Sequence, residues 1–263
     1  MNINNKLIAF AQHELVLARN DTERGKIKAS LSQLEKKLDD KLGDIEEFIR
    51  FGSFTRNTIL PRYYDPESDV DLMVVFNTDS WKKTPGTYRK NLLDVISLAY
   101  PNSISKKDFP AVKLELNHIK FDLVPAYYEE SFWSSSRTYY IPGDADGWQT
   151  TEPNDINQLL ADKNQSYGEN IVRNVIRLCK CWNAGAGYPF ESYEMEKWIL
   201  NRFFYSGDNL YEKFLNLLND MAGDQSGVRR ALDWINEYKG TWLKPANEEK
   251  QFEWLKKLLP GLS

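Results

Sequence analysis

The segment Ser68–Phe76, SDVDLMVVF, constrains this chain more than any other. Leu-Met-Val-Val-Phe reads as a strand buried on both faces. Asp69 and Asp71 stand two apart at its start, so on a strand their side chains share one face. Two carboxylates placed so closely repel each other unless a cation lies between them. An isolated D-x-D is ordinarily a turn acid and a salt-bridge partner. Here Asp71 runs straight into apolar residues, and an unpaired acid taken out of water is costly. Asp122 repeats the pattern between Phe121 and Leu123 in a second candidate strand, IKFDLVPAY, residues 119 to 127. If the two strands are neighbours, three carboxylates converge.

Around these strands the periodicity is helical at first. Leu7, Phe10, Ala11 and Val16 approximate one stripe, and Ile27, Leu31, Leu34 and Leu38 make a cleaner one. Asp21 or Thr22 could cap that second helix, and Gly43 stops it. Residues 44 to 51 read as a helix end running into a strand. Residues 52 to 67, rich in Gly, Ser, Thr, Asn, Pro and Asp, read as a loop. Thr84-Pro85 opens a helix whose apolar face is Tyr88, Leu92, Val95, Ile96 and Ala99. AVKLEL (111 to 116) and the Asp122 strand form a hairpin across Asn117-His118. Past about residue 150 the pattern becomes wholly helical. Ile171, Val175, Leu178 and Trp182 form one stripe, and 193–205, 209–222, 226–238 and 247–259 form further helices. The fold expected is α+β: a mixed-sheet core with N-terminal helices over 1–150, then a helical lobe over 151–263 closing a cleft. The polar stretch 142–157 is the junction.

The formal net charge is −4, which disfavours a protein gripping long nucleic acid by its backbone. Lys106-Lys107 and Arg229-Arg230 are ordinary solvated pairs rather than a basic tract. Cys179 and Cys181 lie at i and i+2 of a helix, do not face each other, and read as reduced structural residues. The N-terminus lacks the pattern of a secretory leader and no apolar run approaches membrane-spanning length, so a cytoplasmic protein is expected.

The carboxylates carry the chemistry. Mg²⁺, with Mn²⁺ as a substitute, is the hard ion such oxygens hold together with substrate phosphates. Three carboxylates can hold two ions and drive in-line phosphoryl transfer, one ion activating a hydroxyl and the other clamping a triphosphate. Asp122 is the best-placed base for the hydroxyl. Gly52-Ser53 precedes the acids; glycine lets backbone approach a phosphate, and N–H groups with the Ser53 hydroxyl can bind it. Only the order gives this pair weight: apolar strand, Gly-Ser, loop, Asp-x-Asp, then a third strand Asp some fifty residues on.

That order resembles the DNA polymerase β nucleotidyltransferase superfamily. "FGSFTRNTIL…ESDVDLMVVF…IKFDLVPAY" is more closely similar to the bacterial cGAS/DncV-like nucleotidyltransferases (CD-NTases), and within them to the CdnE-like group. The similarity continues through "GWQTTEPNDINQLL" and "VIRLCKCWNAGAGYPFESYEME". The resemblance implies a polymerase β-like core, metal binding by Asp69, Asp71 and Asp122, and triphosphate contact by Gly52 and Ser53. In the helical lobe it implies a phosphate-binding Lys180 and a phosphate-contacting Ser192. Without it, Lys180 reads as a lysine snorkelling from a buried face and Ser192 as a helix N-cap. Asn57 stands where relatives often carry glycine after the arginine of this loop, and asparagine tolerates the left-handed region. Asn164 and Asn170 are both in range of the base-reading position, where asparagine goes with pyrimidine acceptance; their bland reading is solvent exposure or capping.

The function implied is synthesis of a cyclic dinucleotide or short cyclic oligonucleotide from NTPs, ATP and also UTP, for antiphage (CBASS) signalling, with a pyrimidine-containing product among the options. The alternative is a nucleotidyltransferase modifying an RNA 3′ end or a protein, which predicts a basic recognition surface that the sequence lacks. A third reading is a non-catalytic nucleotide-binding scaffold, against which three clustered carboxylates argue.

Overall fold

The computed structural model describes residues 2–17, 21–79, 81–131, 136–168, 170–223, 225–241 and 245–263. Two compact units emerge, each assembled from separate stretches of chain: Asn20–Arg56 with Glu67–Asp155, and Met1–Arg19 with Asn57–Pro66 and Ile156–Ser263.

The first unit is built on a sheet. Strands β1 (Ile45–Phe51), β2 (Asp69–Phe76), β3 (Ile104–Asp108), β4 (Ala111–Glu115) and β5 (Lys120–Glu130) are ordered β1-β2-β5-β4-β3. Strands β6 (Arg137–Pro142) and β7 (Trp148–Thr151) continue from the second half of β5. The β2–β5 pair is parallel and the other pairs are antiparallel, so the sheet is mixed. The hairpin across Asn117-His118 forms as its alternation predicts, with Glu115 opposite Lys120.

Helices α2 (Asp21–Leu42) and α4 (Pro85–Ala99) belong to this unit, as does the one-turn α3 (Gly52–Arg56). The stripe Ile27, Leu31, Leu34, Leu38 is buried throughout, as are Tyr88, Leu92 and Ile96 of α4. Pro85 takes the first position of α4, and the Thr84 hydroxyl accepts a hydrogen bond from the Thr87 N–H. Gly43, at φ +65, ends α2. Residues 45 to 51 are strand throughout, without the helical start expected from the sequence. Thr22 lies inside the first turn of α2, while the preceding residue and the Asp21 side chain lie outside the described residues.

The second unit is helical: α1 (Ile3–Ala9) with a π-helical turn over Phe10–Glu14, then α5 (Asn157–Tyr167), α6 (Ile171–Gly185), α7 (Ser192–Leu200), α8 (Leu210–Ala222), α9 (Ser226–Tyr238) and α10 (Glu248–Leu258). Its core runs from Leu7, Phe10 and Leu15 through Leu60 to the faces of α6, α8, α9 and α10. Helix α7 ends at Leu200, five residues short of the expected 205. Phe203 and Tyr205 are largely exposed and only Phe204 between them is buried, so the stretch lacks the apolar face a further helical turn would need. Cys179 and Cys181 are free and buried, and burial pushes both thiols up, Cys181 to about 12. No helix among the described residues is long and apolar enough to cross a membrane.

Candidate active site

Strand register brings the acids together. β2 and β5 run side by side with Asp71 opposite Asp122 and Asp69 opposite Lys120. Partners across a parallel pair point to the same face, and Asp69 shares it with Asp71 by alternation. Asp69, Asp71 and Asp122 therefore stand on one face at one end of the sheet. The intervening Val70, Leu72 and Phe121 are buried, which explains the apolar pattern around each acid.

Gly52 closes this end. Phe51, the last residue of β1, pairs with Asp71, and Gly52 follows at φ +72, where an L side chain is strained. A Cβ at this position would lie 1.7 Å from Asp71 Oδ2. The Asp71 carboxylate thus rests on the Gly52 backbone in space that only glycine leaves open. Ser53 is half-buried one residue on, and the Thr55 hydroxyl donates to the Gly52 carbonyl at 2.9 Å.

Asp122 is the electrostatic anomaly. Its Oδ1 is buried without a hydrogen-bond partner, and its Oδ2 lies 3.6 Å from Lys113 Nζ. Burial, followed by the charge of Asp69, raises this carboxyl to about 7, and Lys113 only partly opposes the rise. Lys113 comes from the neighbouring strand β4, directly opposite Asp122, and also binds Asp108 Oδ2 at 2.9 Å. The sequence reading missed it, although the alternation of AVKLEL already set Lys113 on the face away from Val112 and Leu114. Lys120, opposite Asp69, is buried and bound to Glu67 Oε2 at 2.6 Å.

Among the described residues, no three carboxylate, imidazole or thiol side chains gather closely enough to hold a metal ion as they stand. The backbone register nevertheless suits one. The donors are hard oxygens on one face, and a buried carboxylate oxygen without a partner is the kind of atom a cation satisfies.

The other residues singled out in the sequence lie on the helical unit. Lys180, on α6, is buried, and its Nζ donates to Glu196 Oε1 of α7 at 3.2 Å. Glu196 also accepts from the Thr58 hydroxyl, at 2.9 and 3.0 Å. Lys180 therefore does not snorkel: it sits in a buried ion pair whose acid the sequence reading did not find. The signal was present, since Glu196 follows Met195 on the apolar side of a short helix. Ser192 is the first residue of α7, half-buried, with Glu191 in the cap position and no side-chain capping bond. The Asn164 amide is committed to backbone at both ends. Its Nδ2 donates to the Leu160 carbonyl and its Oδ1 accepts from the Arg173 N–H, which ties α5 to the first turn of α6. Asn170 precedes α6 in the left-handed region and accepts from Arg173 Nη1.

Asn57, at φ +56, occupies the left-handed conformation that asparagine tolerates. The buried Arg177 donates to its carbonyl through Nε and Nη2, at 3.1 and 2.6 Å.

A mixed sheet together with a helical unit is the fold of the bacterial CD-NTases, which is polymerase β-like. The fold of CdnC from E. coli MS115-1, solved with ATP, superposes with a TM-score of 0.65 at 16% identity, covering 98% of each chain. CdnE synthases are also among the solved structures sharing this fold. Residues 1–164 match the Second Messenger Oligonucleotide or Dinucleotide Synthetase domain, and the chain belongs to that family. A protein of Bacillus cereus (strain VD146) named "Probable cyclic nucleotide synthase" is 29% identical over 198 residues, 62% of this chain and 58% of that relative. The CBASS oligonucleotide cyclase CdnC of Escherichia coli (strain KTE188) is 25% identical over 231 residues, 81% of this chain and 69% of the relative.

Proposed function

We propose that this protein joins nucleoside triphosphates, ATP among them, into a cyclic dinucleotide or short cyclic oligonucleotide that acts as a second messenger in CBASS antiphage signalling. The observation that carries the reading is the register of Asp71 with Asp122, beside Asp69, in a chain of the synthetase family. In this reading Asp69, Asp71 and Asp122 hold two Mg²⁺ ions, for which Mn²⁺ can substitute. Bound there, the ions would lower the pKa of the attacking ribose hydroxyl and neutralise charge on the triphosphate. Gly52 brings backbone N–H groups to the triphosphate and the Ser53 hydroxyl adds a donor. Gly52 also holds the Asp71 carboxylate in place by leaving room for it. Asp122, with its buried oxygen, accepts the proton of the attacking hydroxyl. Lys180 and Ser192 act as triphosphate contacts from the helical unit, Lys180 through the ammonium protons left after its bond to Glu196. Asn164 we assign to the α5–α6 junction rather than to base reading, because backbone occupies its amide at both ends. UTP use and a pyrimidine-containing product are therefore left to the substrate assay.

The test is incubation of the protein with all four labelled NTPs and Mg²⁺, then phosphatase treatment and mass spectrometry. Phosphatase-resistant cyclic products are expected, and they should vanish in the Asp69→Ala, Asp71→Ala double variant. Transfer confined to added RNA or protein would sink the reading.

A further inference from the structure

Lys113 poses a question that the proposed reaction leaves open. A site that must gather cations keeps an ammonium beside its third carboxylate. Lys113 Nζ lies 3.6 Å from Asp122 Oδ2, beyond hydrogen-bond length, and 2.9 Å from Asp108 Oδ2, within it. The strands set this arrangement. Lys113 is opposite Asp122 across the β4–β5 pair, whereas Asp108 ends β3 at the turn into β4, opposite Ala111. The lysine stem is mostly buried, its side chain 16% exposed, while the Asp108 carboxylate is half exposed at 51%. The ammonium is thus anchored at the outer acid and leans its charge on the inner one.

A unit positive charge this close opposes the arrival of a second cation at Asp122. It also offsets the repulsion between Asp122 and Asp69 when no metal is bound. Lysine suits both duties. Its charge is compact and its stem flexible, so it can draw back towards Asp108, whereas a planar guanidinium would bridge the two acids and stay.

We propose that Lys113 is a displaceable counter-cation of Asp122, parked by the positioning residue Asp108, and that this pair sets the metal affinity of the third carboxylate. The proposal rests on the reading above that Asp122 is a metal ligand. Lys113 stabilises the metal-free site and yields to the ion. Asp108 lowers the cost of yielding by offering the ammonium a second carboxylate.

The test is Mn²⁺ titration of the full chain without nucleotide, following loss of the free-ion signal by electron paramagnetic resonance. K113Q removes the competing charge and should tighten Mn²⁺ binding by about tenfold. D108N removes the outer anchor, leaves Lys113 to the inner carboxylates Asp122 and Asp69, and should weaken it by about threefold or more. K113R, able to bridge both acids, should also weaken it, and it keeps the proposal testable should K113Q fail to fold. An ordinary structural ion pair would behave differently: K113Q and D108N would lower the melting temperature together and leave Mn²⁺ affinity alone. Shifts of the same sign in K113Q and D108N, or none in either, overturn the proposal. If D122N leaves Mn²⁺ binding unchanged in the otherwise native protein, the metal reading itself fails, and that outcome is separable from the behaviour of Lys113.

Discussion

At the scale of single residues, the geometry around Gly52 is the least forgiving. Two independent demands meet there, a left-handed backbone and the Asp71 carboxylate in the place of a Cβ. Gly52→Ala should therefore cost about 1–3 kcal/mol of stability and lower kcat/KM by roughly 100-fold through displacement of Asp71. With Asp71→Ala already present, the steric part vanishes, and the added stability loss should shrink to about 1–2 kcal/mol, the backbone cost alone. Equal losses in both backgrounds, measured by urea unfolding, would remove the carboxylate from the explanation. Asp122 makes a separate prediction. In the metal-free protein it titrates at about 7, against about 4 in an unfolded chain. The folded state thus holds this proton more tightly than the unfolded one. Its contribution to stability is full below about pH 4 and is lost as the pH climbs to about 7. A bound ion must displace the same proton, so Mg²⁺ should raise the melting temperature more at about pH 8 than at about pH 5.5. A Mg²⁺ shift independent of pH would contradict this.

At the scale of elements, the buried pair between α6 and α7 can be tested by unfolding. Glu196→Ala strands the Lys180 charge and should cost about 3–5 kcal/mol, whereas replacing both partners by Leu and Met of similar bulk should cost less than either single change. Losses that simply add would mean the two side chains do not act as a pair. The same elements show what is legible in a sequence. Helices α2, α4, α6, α8 and α9 were readable because a wide apolar stripe recurs at helical spacing, and β2 because five apolar residues follow Asp71. Strands β3, β6 and β7 were not. Ile-Ser-Lys-Lys-Asp is mostly exposed, and its strand state comes from pairing with β4 rather than from its own pattern. Helix α5 escaped because it buries little beyond Leu160 and Asn164. Within the site, the three aspartates and Gly52 were legible from side-chain type and order. For Lys113 and Glu196 the sequence offered only the face each stands on, since each acquires its meaning from a partner on another element.

At the scale of the molecule, the stretch between Gly52-Ser53 and Asp69 is the informative one. Residues 57–66 leave the sheet unit and belong to the helical unit before the chain returns for β2. Arg177 binds the Asn57 carbonyl, Glu196 binds Thr58, and the Tyr188 hydroxyl donates to the buried Asp65 at 2.7 Å. Loop composition alone could not reveal this, because the anchoring partners lie more than a hundred residues away. Of the expected lobe 151–263, residues 156–263 belong to the helical unit, which they share with residues 1–19 and 57–66. Its core also takes Leu7, Phe10 and Leu15 from the first segment and Leu60 from the second, all fully or nearly fully buried. Each such side chain contributes about 1.5–3 kcal/mol by burial, and the net stability of a whole domain is only about 5–15 kcal/mol. A fragment of residues 151–263 should therefore retain helical content by circular dichroism yet show no cooperative melt and poor amide dispersion by NMR. Fusing residues 1–17 to it should recover part of the cooperativity by restoring three of those four side chains. A sharp transition and a dispersed spectrum from the bare fragment would show instead that the helices of 151–263 close their own core, and that residues 1–19 and 57–66 merely lie on it.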